Sequence, residues 1–309
     1  MKYRMPLAAT AFAILWLWAL PASAEAQVTG APPSRAADAK ICLIVHASDQ
    51  HGDPVSPASL QDVEVIERGK NLQVLDGPKD AGPEKIAVVI DSNFNQTKVL
   101  PLERQMVDSL LSEFARRQAQ AVVLSYGVEI RSSGELTDEW EGLGTFVRSI
   151  QADTDKHNVR ARLFDGLELA MKAFGSGPGT KAVVVFAEGN DYGSSVGWKS
   201  VGRLAQKNHI ACYVVLVADH TFYGPKAIRR YGWDLVELAP ETGGNLWEAG
   251  SNSRKAELII QEVAEQITSQ AVLEVLPSTA RGEAFHRVKV TSAGRRLQAQ
   301  TGYFAPRSP

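Results

Sequence analysis

Cysteine is nearly absent, with only Cys42 and Cys212 in 309 residues. One disulfide at most is available, and export would permit it. Both residues sit inside apolar runs, Ile41–Val45 and Ile210–Val215, so two free thiols buried in strands are expected. Histidine is almost as sparse. His46, His51, His157, His209, His220 and His286 are scattered, with no i, i+4 pair to hold zinc. Neither charge dominates, since the formal net charge is -2, which argues against nucleic-acid binding through bulk charge. Ser92 has no nearby candidate base. The segment Gly175–Lys181 carries Thr-Lys rather than Lys-Thr and precedes a strand, so it reads as a linker and not a phosphate loop. Asn95-Gln96-Thr97 is a glycosylation sequon only in a eukaryotic secretory route. No apolar run reaches the roughly 20 residues that span a bilayer.

The longest such run is near the N-terminus. Lys2 and Arg4 precede the 14-residue, almost wholly apolar run Leu7–Leu20, and Pro21 and Ala22-Ser23-Ala24 follow. This is the layout of a secretory signal peptide at 1–24, cleaved after Ala24 or Ala26, and an uncleaved anchor is the alternative. Removal of residues 1–24 takes away Lys2 and Arg4 and no acid, so the net charge goes from -2 to -4. The expectation is an exported chain, periplasmic or extracellular, with no membrane span once the signal is gone. Residues 25–39 are Ala-, Pro- and Ser-rich and read as a flexible leader.

What is abundant is alternation between two periods. Ile86–Ile90 is wholly apolar and is followed at once by Asp91, Ser92, Asn93 and Asn95. Such a run reads as a strand buried on both faces of a parallel sheet, with polar groups where open α/β sheets place ligands. The plainer reading is that these residues cap the next helix or close an Asx turn. Helical spacing follows at Met106, Leu110, Leu111 and Phe114, then a strand at 121–126 with an antiparallel return over 128–136. Short helices are expected at 143–150 and 163–174. Lys181–Phe186 is a second strand, fully apolar from Ala182 on, and an acid, Glu188, again follows its end. Helices at 197–207, 225–241 and 253–269, with strands at 210–217 and near Leu246, complete a doubly wound, mostly parallel α/β pattern over 81–270. The flanks, 40–80 and 271–306, alternate with period two. Asp76-Gly77-Pro78 reads as a break there. Neither flank has enough strands to bury a core alone, so the two are expected to join as one small β-sandwich with the α/β domain inserted between them.

The mostly parallel sheet with one hairpin edge and polar residues ending two apolar strands resembles the von Willebrand factor type A fold. The segments Val183–Ser194, Leu238–Gly244 and Gly302–Pro306 extend the resemblance over 40–306, to exported "VWFA-related" proteins of the acidobacterial type. The resemblance implies a metal-ion-dependent adhesion site: D-x-S-x-S after the first strand, a loop Thr, and an Asp after the fourth strand. Hydroxyl and carboxylate oxygens suit Mg²⁺ or Ca²⁺ with one position open to a partner's acid. Here Asp91 matches the first Asp, Asn93 and Asn95 replace the serines, Glu188 replaces the last Asp, and Ala161 stands at the Thr position. Asp91, Asn93, Asn95 and Glu188 are then a degenerate ligand set, at best a weak Ca²⁺ or Mg²⁺ site, with no certain cofactor. Arg160 and Arg162 flank Ala161 and are expected to pair with Asp91 and Glu188 in place of a metal. An unidentified protein or envelope ligand would dock across Asp91, Asn93, Arg160, Arg162, Glu188, Asp191 and Tyr192. Nearby aromatics (Trp198, Phe222, Tyr223, Tyr231, Trp233) would serve as anchors. The function expected is a non-enzymatic, adhesion-type module. The alternatives are a hydrolase using Asp91 and Glu188 as acid and base, and an inert envelope component.

Overall fold

The strand Ile86–Ile90 lies in the middle of everything else. It belongs to β5 (Glu84–Asp91), which pairs in parallel with β6 (Gln120–Tyr126) on one side and β8 (Thr180–Ala187) on the other. The computed structural model describes residues 40–49, 54–55, 62–80, 83–158, 160–175, 177–218, 232–250, 252–278, 284–293 and 295–304. The expected signal and leader at 1–39, most of the expected turn at 50–54, the expected turn at 281–282, and Phe222, Tyr223 and Tyr231 lie outside these residues.

β9 (Ile210–Leu216) and β10 (Leu246–Glu248) extend the sheet beyond β8. The hairpin strand β7 (Ile130–Ser132) closes the other edge, and the order is β10-β9-β8-β5-β6-β7. Only β7 runs antiparallel to its neighbour. Side chains of a strand point alternately to its two faces. Ile86, Val88 and Ile90 therefore pack against α1 (Leu100–Ala115), α2 (Trp140–Ser149) and α6 (Ser253–Thr268). Ala87 and Val89 pack against α3 (Leu163–Lys172), α4 (Trp198–Lys207) and α5 (Trp233–Glu241). This is a mixed α/β architecture with helices on both faces of a mostly parallel sheet. The part of the 225–241 helix before residue 232 lies outside the described residues, and α5 begins at Trp233. None of the described helices is long and apolar enough to cross a membrane.

Two further sheets flank this body. One has the order β13-β1-β11-β4, built from β13 (Arg296–Ala299), β1 (Ile41–Ser48), β11 (Gln270–Val275) and β4 (Val74–Asp80). The other is β14-β12-β2-β3, built from β14 (Gly302–Phe304), β12 (Phe285–Ser292), β2 (Val63–Glu67) and β3 (Lys70–Leu72). Leu43, Val45, Val65, Leu273, Val275 and Tyr303 form the core they share. Each sheet draws strands from both flanks of the sequence.

Asp76-Gly77-Pro78 does not end the chain's extended run. β4 continues through it to Asp80 as the edge strand of its sheet, with register shifts around Glu274. An edge strand at a bulge is where a residue without an N–H is tolerated. The cysteines are both unbridged. Cys212 is fully buried, and burial pushes its thiol up to about 12. Cys42 is only half-buried, because its place in β1 points it away from the sandwich core.

Where sandwich and sheet meet, the segment Thr242–Gly244 is pressed between β9 and β1. The Cys212 N–H donates to Thr242 Oγ1 at 3.0 Å, and His46 Nε2 lies 2.9 Å from the Gly243 carbonyl. A carbonyl only accepts, so Nε2 carries the proton. Burial lowers the His46 pKa to about 4, so the ring is neutral. A Cβ on Gly244 would lie 1.9 Å from the Cys212 carbonyl oxygen, so only glycine fits there.

Candidate functional site

Three adjacent strands end at one rim. Asp91 is in register with Tyr126, Ile90 with Phe186, and Glu188 stands one residue past the end of β8. The parallel pairing of β5 with β8 thus brings together two acids far apart in sequence, at the C-terminal edge where such sheets hold ligands.

The turn after β5 is tied down locally. Ser92 donates twice to the Tyr126 carbonyl, from its N–H at 2.7 Å and its hydroxyl at 3.0 Å. The Asn93 N–H and Nδ2 both donate to Asp91 Oδ1, at 3.0 and 2.7 Å. Asn93 Oδ1 accepts the Asn95 N–H at 2.7 Å and so caps the 3₁₀ turn Phe94–Lys98. Those two contacts fix the amide's orientation, since exchanging O and N would set oxygen against oxygen and N–H against NH₂. Asn95 Nδ2 in turn donates to Glu188 Oε2 at 3.4 Å.

Asp91 is 0% exposed and Glu188 4%. Burial pushes the Asp91 carboxyl up to about 7, opposed by the hydrogen bond from the Asn93 N–H and the nearby Tyr126 hydroxyl dipole, while the Glu188 charge adds to the rise. That hydroxyl faces Asp91 without a hydrogen bond of normal length. Its own pKa lies well above the phenol range through burial and the surrounding carboxyls.

A third acid completes the cluster. Glu103, in the first turn of α1, is 0% exposed, and neither carboxyl oxygen has a hydrogen-bond partner. Burial, then Asp91 and Glu188, raise its pKa well above the carboxylate range, so it is protonated and neutral.

The donor set does not fit a hard divalent cation as it stands. Mg²⁺ and Ca²⁺ need converging oxygens, and here amide N–H groups are turned onto both acids. Ala161 supplies no side-chain oxygen. Its backbone pairs with Tyr192, Ala161 N to Tyr192 O at 3.1 Å and the reverse at 2.8 Å, and so fastens loop 160–162 to loop 190–193. Among the described residues no three His, Cys, Asp or Glu side chains are grouped to hold a metal ion.

The arginines do not neutralise the acids either. Arg162 Nε and Nη2 donate to Asp165 Oδ2 at 3.0 and 2.8 Å, leaving the guanidinium committed one turn along its own helix. The other Asp165 oxygen accepts from the Ser195 N–H, the Ser195 hydroxyl and the Val196 N–H. Burial opposes ionisation of Asp165, but Arg162 and these donors outweigh it and hold the carboxyl below its usual range. Arg160 is exposed, with its stem against Gly193, and makes no ion pair among the described residues. Asp191 and Tyr192 lie on the neighbouring loop, Tyr192 at 46% exposure.

The strand order, the single antiparallel edge strand and the acid-ended central strands together define the architecture. The α/β body has a von Willebrand A-like fold. No protein-family model and no curated protein matches the chain. Solved structures do. The conserved hypothetical protein BatB from Bacteroides thetaiotaomicron overlaps 60% of this chain and 98% of its own, at 13% identity and a TM-score of 0.47. The SpRpn10 VWA domain overlaps 60% of this chain and 97% of its own, at 12% identity and a TM-score of 0.45. Proximal thread matrix protein 1 from the mussel byssus, solved with a zinc-occupied MIDAS motif, overlaps 68% of this chain and 49% of its own, at 15% identity and a TM-score of 0.49. Overlaps this modest carry no argument about function.

Two residues of the site escape a reading of the sequence. Tyr126 looks like the last residue of an apolar strand. Glu103 looks like an ordinary first-turn acid, yet it lies three residues before Met106 and seven before Leu110, on the buried stripe of α1.

Proposed function

We propose that this chain is an exported, non-enzymatic protein-binding module of the VWFA-related type, whose adhesion site has become metal-free. One observation carries the reading: the Asn93 and Asn95 amides are lodged against Asp91 and Glu188, where a metal-dependent site needs oxygen. The cluster is held by amide donors to Asp91 and Glu188 and by a protonated Glu103, and works as a support for the loops above it. Arg160, Asp191 and Tyr192 on those loops then form the part a partner touches. Burial of Asp91 and Glu188 counts against an acid and base working on a substrate, because neither carboxyl meets solvent freely. The signal-like N-terminus supports export.

Calorimetry with Ca²⁺, Mg²⁺ and Mn²⁺ tests the metal-free site, and binding at micromolar affinity or better overturns it. Pull-down from an envelope fraction, with wild type and an Arg160→Glu/Tyr192→Ala variant, tests the face. A partner recovered by wild type and lost by the variant supports the reading. Equal recovery of every protein by both removes it.

A further inference from the structure

Beside the acid cluster, on the same rim, a cleft of about 290 Å³ opens between the 189–198 loop, α3 and α5. Phe164, Tyr192 and Trp198 give it aromatic walls, and Asn190, Asp191 and Asp234 give it polar ones. None of these six is basic. Asn190 is 4% exposed and its side-chain amide has no hydrogen-bond partner among the described residues. Asp191 uses Oδ1 to accept from the Ser194 hydroxyl at 2.5 Å and the Phe164 N–H at 3.4 Å, which leaves Oδ2 open. Asp234 makes no hydrogen bond or ion pair with any described residue. Burial, and then the charge of Asp191, raise the Asp234 carboxyl, while Lys199 at the rim opposes this. Lys199 itself stands 5.7 Å from the Trp198 ring and is exposed.

We infer that this cleft receives the guanidinium of an arginine on a partner protein. The walls offer two carboxylates and aromatic π-faces, and their side-chain donors (the Asn190 amide, the Tyr192 hydroxyl and the Trp198 indole N–H) are all neutral. A planar cation with five N–H groups can stack on Trp198 or Tyr192 while it bonds the open oxygens of Asp191 and Asp234. An aromatic-walled cleft that a partner's side chain would close off is also where interface energy concentrates. The polarity is opposite to that of a metal-dependent adhesion site, which takes an acid from its partner. The inference rests on the partner-binding reading above and names the chemistry of the partner's anchor.

The test needs no natural partner, so it can fail while the pull-down succeeds, and the reverse. The full chain is titrated with N-acetyl-arginine methylamide while the Trp198 indole N–H is followed by NMR, the signal being assigned from the spectrum of Trp198→Phe. A saturable shift is expected. The neutral isostere N-acetyl-citrulline methylamide should bind about tenfold more weakly, and Asp234→Asn should weaken arginine binding roughly threefold or more. The Asp234→Asn spectrum reports directly on whether that variant is folded. No saturation with arginine, equal binding of citrulline, or undiminished binding by folded Asp234→Asn each overturns the inference. Equal affinity for N-acetyl-lysine methylamide overturns the guanidinium assignment.

Discussion

Asp91→Asn should stabilise this protein by an amount that grows as pH rises from 3.8 to about 7 and is constant above that. In the wild type, Oδ1 takes both Asn93 donors while Oδ2 has no hydrogen-bond partner in a site closed to solvent. The side-chain amide keeps an oxygen for the two donors and places an NH₂ beside Tyr126 and the Glu188 carboxyl. Burial raises Asp91 from its ordinary 3.8 to about 7, so the fold favours the protonated form. Between those values the folded chain holds a proton that the unfolded chain has released. The stability this group confers is therefore fully present below pH 3.8 and is lost as pH rises through about 7. A change of that size corresponds to a ceiling of roughly 4 kcal/mol. The variant carries no such proton. Urea denaturation followed by tryptophan fluorescence should show the two proteins within about 1 kcal/mol of each other at pH 4 and the variant ahead by about 1–4 kcal/mol at pH 8. A constant offset between the two curves, or a wild type that gains on the variant as pH rises, would refute the reasoning.

Glu103→Met replaces a neutral but unpartnered buried carboxyl with an apolar chain of similar length. It should add about 1–3 kcal/mol, seen as a melting temperature higher by several degrees. Gly244→Ala should prevent folding or cost more than about 4 kcal/mol, since its methyl meets the Cys212 carbonyl. Gly197→Ala, where nothing stands within 4 Å, should change the melting point little. In the sandwich, Glu67 accepts from Ser278 and Tyr303 and pairs with His286 at 2.7 Å. Burial opposes its ionisation but these donors hold its carboxyl below 4.5, so its stabilisation is present above that pH and lost as pH falls through the folded value. Glu67→Ala should cost about 3 kcal/mol at pH 7 by denaturation and should flatten the acid limb of the stability curve.

The central sheet was legible because its signal is local. Ile86–Ile90 and Ala182–Phe186 are apolar without interruption, which only strands covered on both faces require. The antiparallel edge strand and the α3 and α4 helices are equally plain from periodicity. The site was legible only as an address: Asp91 and Glu188 end neighbouring strands, but whether amides or metal satisfy them depends on which way two short side chains turn. The pairing of Arg162 with Asp165 rather than with the cluster is a choice between partners that the linear chain does not rank, although the i, i+3 spacing on a helix favours the near one. Glu103 was hidden by its type, since an acid in a first helical turn has a sufficient local explanation in the helix dipole. The Glu67–Ser278–His286–Tyr303 knot could not be read at all, because its members come from segments that meet only in the finished sandwich.

The interleaving of the two outer sheets has a consequence for how the chain comes to be folded. β1 lies between β11 and β13, and β2 lies beside β12. When the first flank leaves the ribosome, those neighbours are still some two hundred residues from being made. Loop closure over that distance is slow, and unpaired strands invite foreign ones. The α/β body must therefore condense first and bring the two ends within reach. Until those neighbours arrive, β1 presents bare edges on both sides, and a chain cut short before β11 would leave it so.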